Sequence, residues 1–281
     1  MNVYPHTQAV EFFRELRKRA PLRIIIGNHD RPDNTDYLTS THPFTACKEW
    51  SETIVVDRSY HENFRGFQLL YVPYVFPGRL VEAIEEVVPD WNNNQSQYDF
   101  VMMHQEIYGA KMGGTISEIG DRWKPHWPLG GSGHIHDYQV LGHNFFYIGT
   151  PVQQNFGEPD DKRVGLLCLY KRNQQEDFLK NMVEKIKVDT EDQLVGSYWI
   201  LQRYDLGLPK RRTIELRIEQ VNGWIPPSLN DWFRLRIVGN KAQHQAYASL
   251  INSILETYSK VRVKQIYTDL IFHHESRLSN S

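Results

Sequence analysis

Apolar and polar positions along this chain follow a helical period and a strand period by turns, and the texture changes once, after Tyr170. Over residues 6–19, Val10, Phe13 and Leu16 recur at helical spacing and the stretch ends on Arg17-Lys18-Arg19. This predicts an amphipathic helix whose cationic end suits the helix dipole. Pro21 stops it. Leu22-Arg23-Ile24-Ile25-Ile26 follows as a short apolar run closed by Gly27, the pattern of a buried, parallel strand. Runs at 68–72, ended by Pro73, and at 100–103, leading straight into His104, predict two more strands, with a helix over 80–88 between them. Val140-Leu141 and residues 145–148 predict an antiparallel pair around Gly142-His143-Asn144, and 166–170 a further strand. Helix followed by buried strand specifies an α/β layer.

Residues 171–192 are charge-dense, with Phe178, Met182, Val183 and Ile186 spaced for one helical face, and read as a surface helix or connector. Stretches 213–219 and 232–238 then alternate as strands with one buried and one wet face do. Tyr247, Leu250, Ile251, Ile254, Leu255 and Tyr258 form a helical stripe, and strand pattern returns at 261–263 and 266–271. The expected organisation is an α/β domain at 1–170, a connector at 171–194, a smaller ββαβ domain at 195–272 and a tail at 273–281.

With 281 residues, 40% of them hydrophobic, two such domains can each bury a core. No apolar run approaches the roughly 20 residues that span a bilayer. The opening Met1-Asn2-Val3-Tyr4-Pro5-His6 lacks the basic and apolar regions of a secretory signal. Cys47 and Cys168 are too few for a disulfide framework. A soluble, cytoplasmic setting without membrane contact is expected. The net charge of −2 excludes a globally basic nucleic-acid binder. Any DNA contact must come from local patches or bound cations. Lys210-Arg211-Arg212 and the Arg234/Arg236 face could track phosphates, although a solvated strand face is the plainer reading.

Three polar stretches stand where apolar strands are predicted to end: Gly27-Asn28-His29-Asp30, His104-Gln105-Glu106, and Gly133-His134-Ile135-His136, entered through Gly130-Gly131-Ser132. Carboxyl ends of strands in an open α/β sheet are where ligands bind. Imidazole nitrogen with amide or carboxylate oxygen suits Mn(II), Fe(II) or Zn(II). On an extended segment, the pattern His134-x-His136 is read as supplying ligands to two different metals. Each stretch alone is weak, since a strand-end histidine is usually structural and Asn-Gly turns are common. The ordered set is far more specific.

That set, GNHD, a lone histidine and GHxH, resembles the calcineurin-like metallophosphoesterases. The resemblance implies that Asn28, His104 and His134 hold one cation, that His136 helps hold another, and that His29 contacts the phosphate and assists the leaving oxygen. Two manganese ions would clamp the attacking and leaving oxygens. Tyr147-Ile148-Gly149-Thr150-Pro151 followed by Phe156-Gly157-Glu158, together with the 195–272 pattern as a capping domain, is similar to SbcD-like nucleases and their phage counterparts. This implies a DNA exo/endonuclease subunit in repair or recombination, with double-stranded DNA, an SbcC-like ABC-type ATPase and a second copy of the chain as partners. The family's DxH and GDxxD motifs, which supply the bridging carboxylate, do not occur here; residues 1–26 contain no Asp. The expectation is a chain that starts just after GDxxD, through loss of an upstream segment, with a natural partial version as the alternative. Such a chain binds at most one cation and by itself leaves duplex DNA uncut. The alternatives are a calcineurin-like phosphoesterase acting on nucleotides or phosphoproteins, and a non-catalytic DNA-binding scaffold.

Overall fold

In the computed structural model, which describes residues 3–170, 193–195 and 198–268, the apolar run after Pro21 forms strand β1 (Leu22–Ile25), paired in parallel with β2 (Thr53–Val56). Helix α1 (Val3–Leu16) lays Ala9, Val10 and Phe13 against Ile24, Ile26, Phe44, Cys47 and Val55. Its basic end does more than complement the dipole. The Arg14 and Arg17 guanidiniums lie over the Trp50 ring, 5.9 and 4.9 Å from its centroid.

The next strands are β3 (Tyr60–Phe64), β4 (Phe67–Val72), β5 (Phe100–Met103), the hairpin β6 (Lys111–Met112) and β7 (Thr115–Ile116), β8 (Leu129–Ser132), β9 (Gln139–Leu141) and β10 (Phe145–Tyr147). Six of them form one sheet in the order β3-β4-β5-β8-β10-β9. The four central strands run parallel, and β3 and β9 are antiparallel edges. Parallel strands point their carboxyl ends to a single side, and this decides where the polar stretches gather. Strands β3 and β4 meet through Arg65-Gly66, both at positive φ, the two-residue turn that matches strand twist.

Alternation along β5 sends Val101 and Met103 to one face, where helices α2 (Leu80–Glu85) and α3 (Trp91–Asn94) close a core with Leu70, Val72, Trp91, Phe145 and Tyr147. Full burial of each large apolar side chain there contributes about 1.5–3 kcal/mol. On the other face Phe100 and Phe146 stack at 6.1 Å and pack toward Trp199 and Leu201. Those two belong to a second sheet of β11 (Val164–Leu169), β12 (Gln193–Val195) and β13 (Trp199–Tyr204), antiparallel in the order β11-β13-β12.

The chain divides into Met1–Thr150 with Arg163–Tyr204, and Pro151–Lys162 with Asp205–Ser281. This differs from the sequence boundaries at 170 and 195. Strand β13 is almost wholly buried and pairs with β11, so residues up to 204 stay with the first unit. In the second, Gln153 accepts from Arg211 N at 2.6 Å and donates to Arg211 O at 3.0 Å, tying 151–162 to the start of β14 (Arg211–Arg217). Strands β14, β15 (Trp232–Gly239) and β16 (Val261–Tyr267) are mutually parallel. Phe233, Leu235 and Ile237 point into a core completed by Ile251 and Ile254, from the helix Ala248–Thr257. Asn240 caps the preceding helix Lys241–Ala246, accepting from Gln243 N at 2.8 Å. Two strands, then helix, then strand is the order here, with one continuous strand over 261–267 where the sequence pattern predicts two pieces. The expected connector helix over 171–192, and residues 269–281 with the tail, lie outside the described residues. Among the described residues no helix is long and apolar enough to cross a membrane.

Candidate active site

All three polar stretches sit at carboxyl ends of strands. After β1, Asn28-His29-Asp30 forms a single 3₁₀ turn held by Asp30, whose carboxylate accepts from Gly27 N at 2.9 Å. His104 follows β5 and donates its backbone N–H to Val72 O at 3.2 Å, which ties the end of β5 to the end of β4. Beyond β8 the chain bends at 133–137, contrary to the extended run expected for His134 and His136. Both histidines thereby come within electrostatic reach of His104. Gly149 (φ +78°) crosses behind this bend, where an added Cβ would meet His136 O at 2.9 Å, and Thr150 N donates to that same carbonyl at 3.1 Å. Gly149 and Thr150 therefore brace the GHxH bend.

The segments that follow β4, β5 and β8 are cross-linked beneath the site. The fully buried Gln105 side chain accepts from Val75 N at 3.2 Å and donates to Val75 O at 2.7 Å. Ser132 Oγ accepts from Gln105 N at 2.9 Å and from His134 N at 3.3 Å, and donates to Gln105 O at 3.0 Å. Tyr147 OH donates to Gln105 O at 2.9 Å. Sequence reading overlooks Gln105, Ser132, Tyr147 and Tyr74 as site residues. The available signal is weak: a Gln directly after the lone histidine, and a Tyr two residues past the end of a strand.

On this base His104 Nε2 and Asn28 Oδ1 face each other at 3.0 Å. The His104 and His134 rings meet edge to face, centroids 5.1 Å apart at 83°. Gly27 makes room for this, since a Cβ there would lie 2.8 Å from His104 Cε1. Burial, and then the neighbouring His134, His29 and His136, push His104 down to about 3, so the ring is neutral across the ordinary pH range. Burial also lowers His134, against the opposing charge of Glu106. Burial raises Asp30, opposed by the Gly27 N–H. His29 is exposed at the mouth of the cluster.

The donor set can be tested against a cation. Two donors each about 2.1 Å from a metal and at right angles lie about 3 Å apart, which the Asn28–His104 separation matches. His134 Nδ1 is buried with no hydrogen-bond partner among the described residues. Neutral imidazoles and an amide oxygen thus fit one divalent cation. The nearby carboxylates are engaged: Asp30 by Gly27 N, and Glu106 by Ser117 Oγ at 2.5 Å. Among the described residues no three His, Cys, Asp or Glu side chains form a metal-holding group.

In the second unit the basic stretch is already partnered. Lys210 Nζ lies 3.2 Å from Asp205, Arg211 Nε donates to Gln153 O at 3.0 Å, and Arg212 Nε donates to Asp231 at 3.0 Å. A phosphate would have to compete with these partners.

No protein-family model matches the chain. A protein of Invertebrate iridescent virus 6 named as a phosphoesterase (244L) is 33% identical over 241 residues, covering 85% of this chain and 77% of the viral protein. A protein of Invertebrate iridescent virus 3, also named as a phosphoesterase (078R), is 35% identical over 188 residues, covering 67% of this chain and 54% of that protein.

Proposed function

The chain belongs to the phosphoesterase family of these two viral proteins, and from that premise we propose that it cleaves phosphodiesters at the Asn28–His104–His134 cluster with the help of a divalent cation, manganese by resemblance. The observation that carries this reading is the 3.0 Å approach of Asn28 Oδ1 and His104 Nε2, with the His134 ring edge to face against His104 at 5.1 Å. A cation bound there supplies Lewis-acid polarisation of a phosphoryl oxygen. The chain's own groups do the rest. Asn28 and the two neutral imidazoles offer lone pairs, and the exposed His29 is assigned the donation of a proton to the leaving oxygen. Charge on that oxygen develops only in the transition state, so His29 contributes to turnover and not to ligand affinity.

Within the family we propose double-stranded DNA as the substrate and an SbcC-like ABC-type ATPase as the partner. The order of the motifs, the Tyr147–Pro151 segment and the presence of a second unit support this. The test is Mn(II) calorimetry on the chain, alongside hydrolysis of an aryl phosphodiester and of duplex DNA with an upstream DxH…GDxxD segment supplied, since by itself the chain is expected to leave duplex DNA uncut. One Mn(II) site is expected, lost in His104→Ala and kept in His29→Ala. His29→Ala lowers diester turnover ~10²–10⁴-fold. Loss of Mn(II) in His29→Ala would make His29 a ligand. Preference for a phosphomonoester would overturn the diester assignment.

A further inference from the structure

A metal-binding histidine usually donates its second ring nitrogen to a carboxylate, a carbonyl or water, and that bond fixes the plane of the ring. His134 Nδ1 has no such bond to a described residue. The nearby acid Glu106 is taken up by Ser117 Oγ. Against the His134 ring lies Tyr74 instead, stacked at 22° with centroids 5.8 Å apart. The same Tyr74 ring meets His104 at 6.4 Å and 76°.

Tyr74 is itself anchored from both sides of its backbone. Its N–H donates to Ile26 O at 2.8 Å, next to the GNHD turn. Its carbonyl accepts from Arg31 Nη1 at 2.9 Å. The buried Arg31 guanidinium also reaches the Asp36 carbonyl and sits 5.6 Å from the Tyr74 centroid. One aromatic ring is thus fixed to the first polar stretch and presses on the histidines of the other two.

We propose that Tyr74 is the positioning residue of the imidazole pair, its ring setting the plane of His134 and the tilt of His104 in place of a hydrogen bond. The proposal rests on the reading of the cluster as a cation site. It requires the ring and not the hydroxyl, so Tyr74→Phe and Tyr74→Leu separate the two.

The experiment uses the whole chain, with Mn(II) calorimetry and ring-proton NMR of the metal-free protein, on the wild type, Tyr74→Phe, Tyr74→Leu and His134→Ala. Tyr74→Phe is expected to keep both the Mn(II) affinity and the ring-current shift of the His134 Hε1 resonance. Tyr74→Leu is expected to lose that shift and to bind Mn(II) roughly ten- to a hundredfold more weakly. If Tyr74→Leu does not fold, Tyr74→Met fills the space without a ring and is read in its place. Wild-type affinity in Tyr74→Leu, with loss in His134→Ala, overturns the proposal and leaves the cation site standing. Equal losses in Tyr74→Phe and Tyr74→Leu also overturn it, by assigning the role to the hydroxyl. Wild-type affinity in His134→Ala overturns the cation reading, and the His134 resonance then decides alone: unmoved in Tyr74→Leu, it refutes the positioning role.

Discussion

Replacing Gln105 by Leu keeps the volume of a fully buried side chain and removes the amide that ties Val75, beyond β4, to the end of β5. Two backbone groups of the equally buried Val75 lose their partners: the N–H given to Gln105 Oε1 at 3.2 Å and the carbonyl that accepts Gln105 Nε2 at 2.7 Å. Each stranded group costs ~1–3 kcal/mol. Relief from burying the Gln105 amide offsets part of that, so a net loss of ~3 kcal/mol is expected. At ~2–4 °C per kcal/mol for a unit of this size, the melting temperature falls by ~6–12 °C. Calorimetry and urea unfolding would measure it, with Gln139→Leu as control. Gln139 bonds Lys111 in the same two-point way at 2.8 and 2.9 Å, but at the exposed surface. Its loss is expected to stay within ~0.5 kcal/mol. A Gln105→Leu protein as stable as that control would refute the claim that this amide holds the loops together.

Gly27→Ala drives a methyl to 2.8 Å from His104 Cε1; Mn(II) binding should be lost with a destabilisation of ~1–3 kcal/mol, and unchanged calorimetry would show that the ring yields freely. Gly149→Ala meets both a positive φ and the His136 carbonyl, and should destabilise by ~1–3 kcal/mol in denaturant unfolding. In the metal-free protein His104 is held down to about 3, so between its ordinary value near 6.5 and about 3 the unfolded chain binds the extra proton. That stability is complete above about pH 6.5 and declines as pH falls toward 3, by at most about 1.4 kcal/mol per unit. His104→Gln should flatten the stability profile over this window, and an equally steep profile would remove His104 as its source.

Legibility in the sequence follows the side chains. Strands β1, β4 and β5 are plain because Ile24, Leu70 and Val101 sit in compact apolar runs, and β15 because Phe233, Leu235 and Ile237 alternate with Arg234 and Arg236. Strand β8, at the centre of the main sheet, is marked in the sequence only by the polar stretch that follows it. Its Leu-Gly-Gly-Ser carries no periodic signal, since its neighbours' rings occupy the space where side chains would be: Phe145 at 2.6 Å from a Cβ at Gly130, and Phe146 at 2.9 Å from one at Gly131. Strand β2 escapes notice because Thr53–Val56 is short and follows a turn with no clear boundary residue. The site histidines are readable as motifs. Tyr74 and Gln105 are not, because their importance lies in what they touch across strands rather than in any spacing along the chain. The division at Tyr204 is hidden for the same reason, since β13 reads like the strands that follow it and only its pairing with β11 assigns it.

Asn28 and His104 are 76 residues apart in sequence, and Gln105 reaches 27 residues on to Ser132. Contacts of such long range form late, because the loops they close are entropically expensive until the sheet between them exists. A peptide cut from either end of this region therefore lacks one side of the cluster. The histidine cluster exists only where the sheet of its unit is in place. Any ligand that holds it then acts on the whole unit at once, raising the free energy of global opening by mass action rather than stiffening one loop.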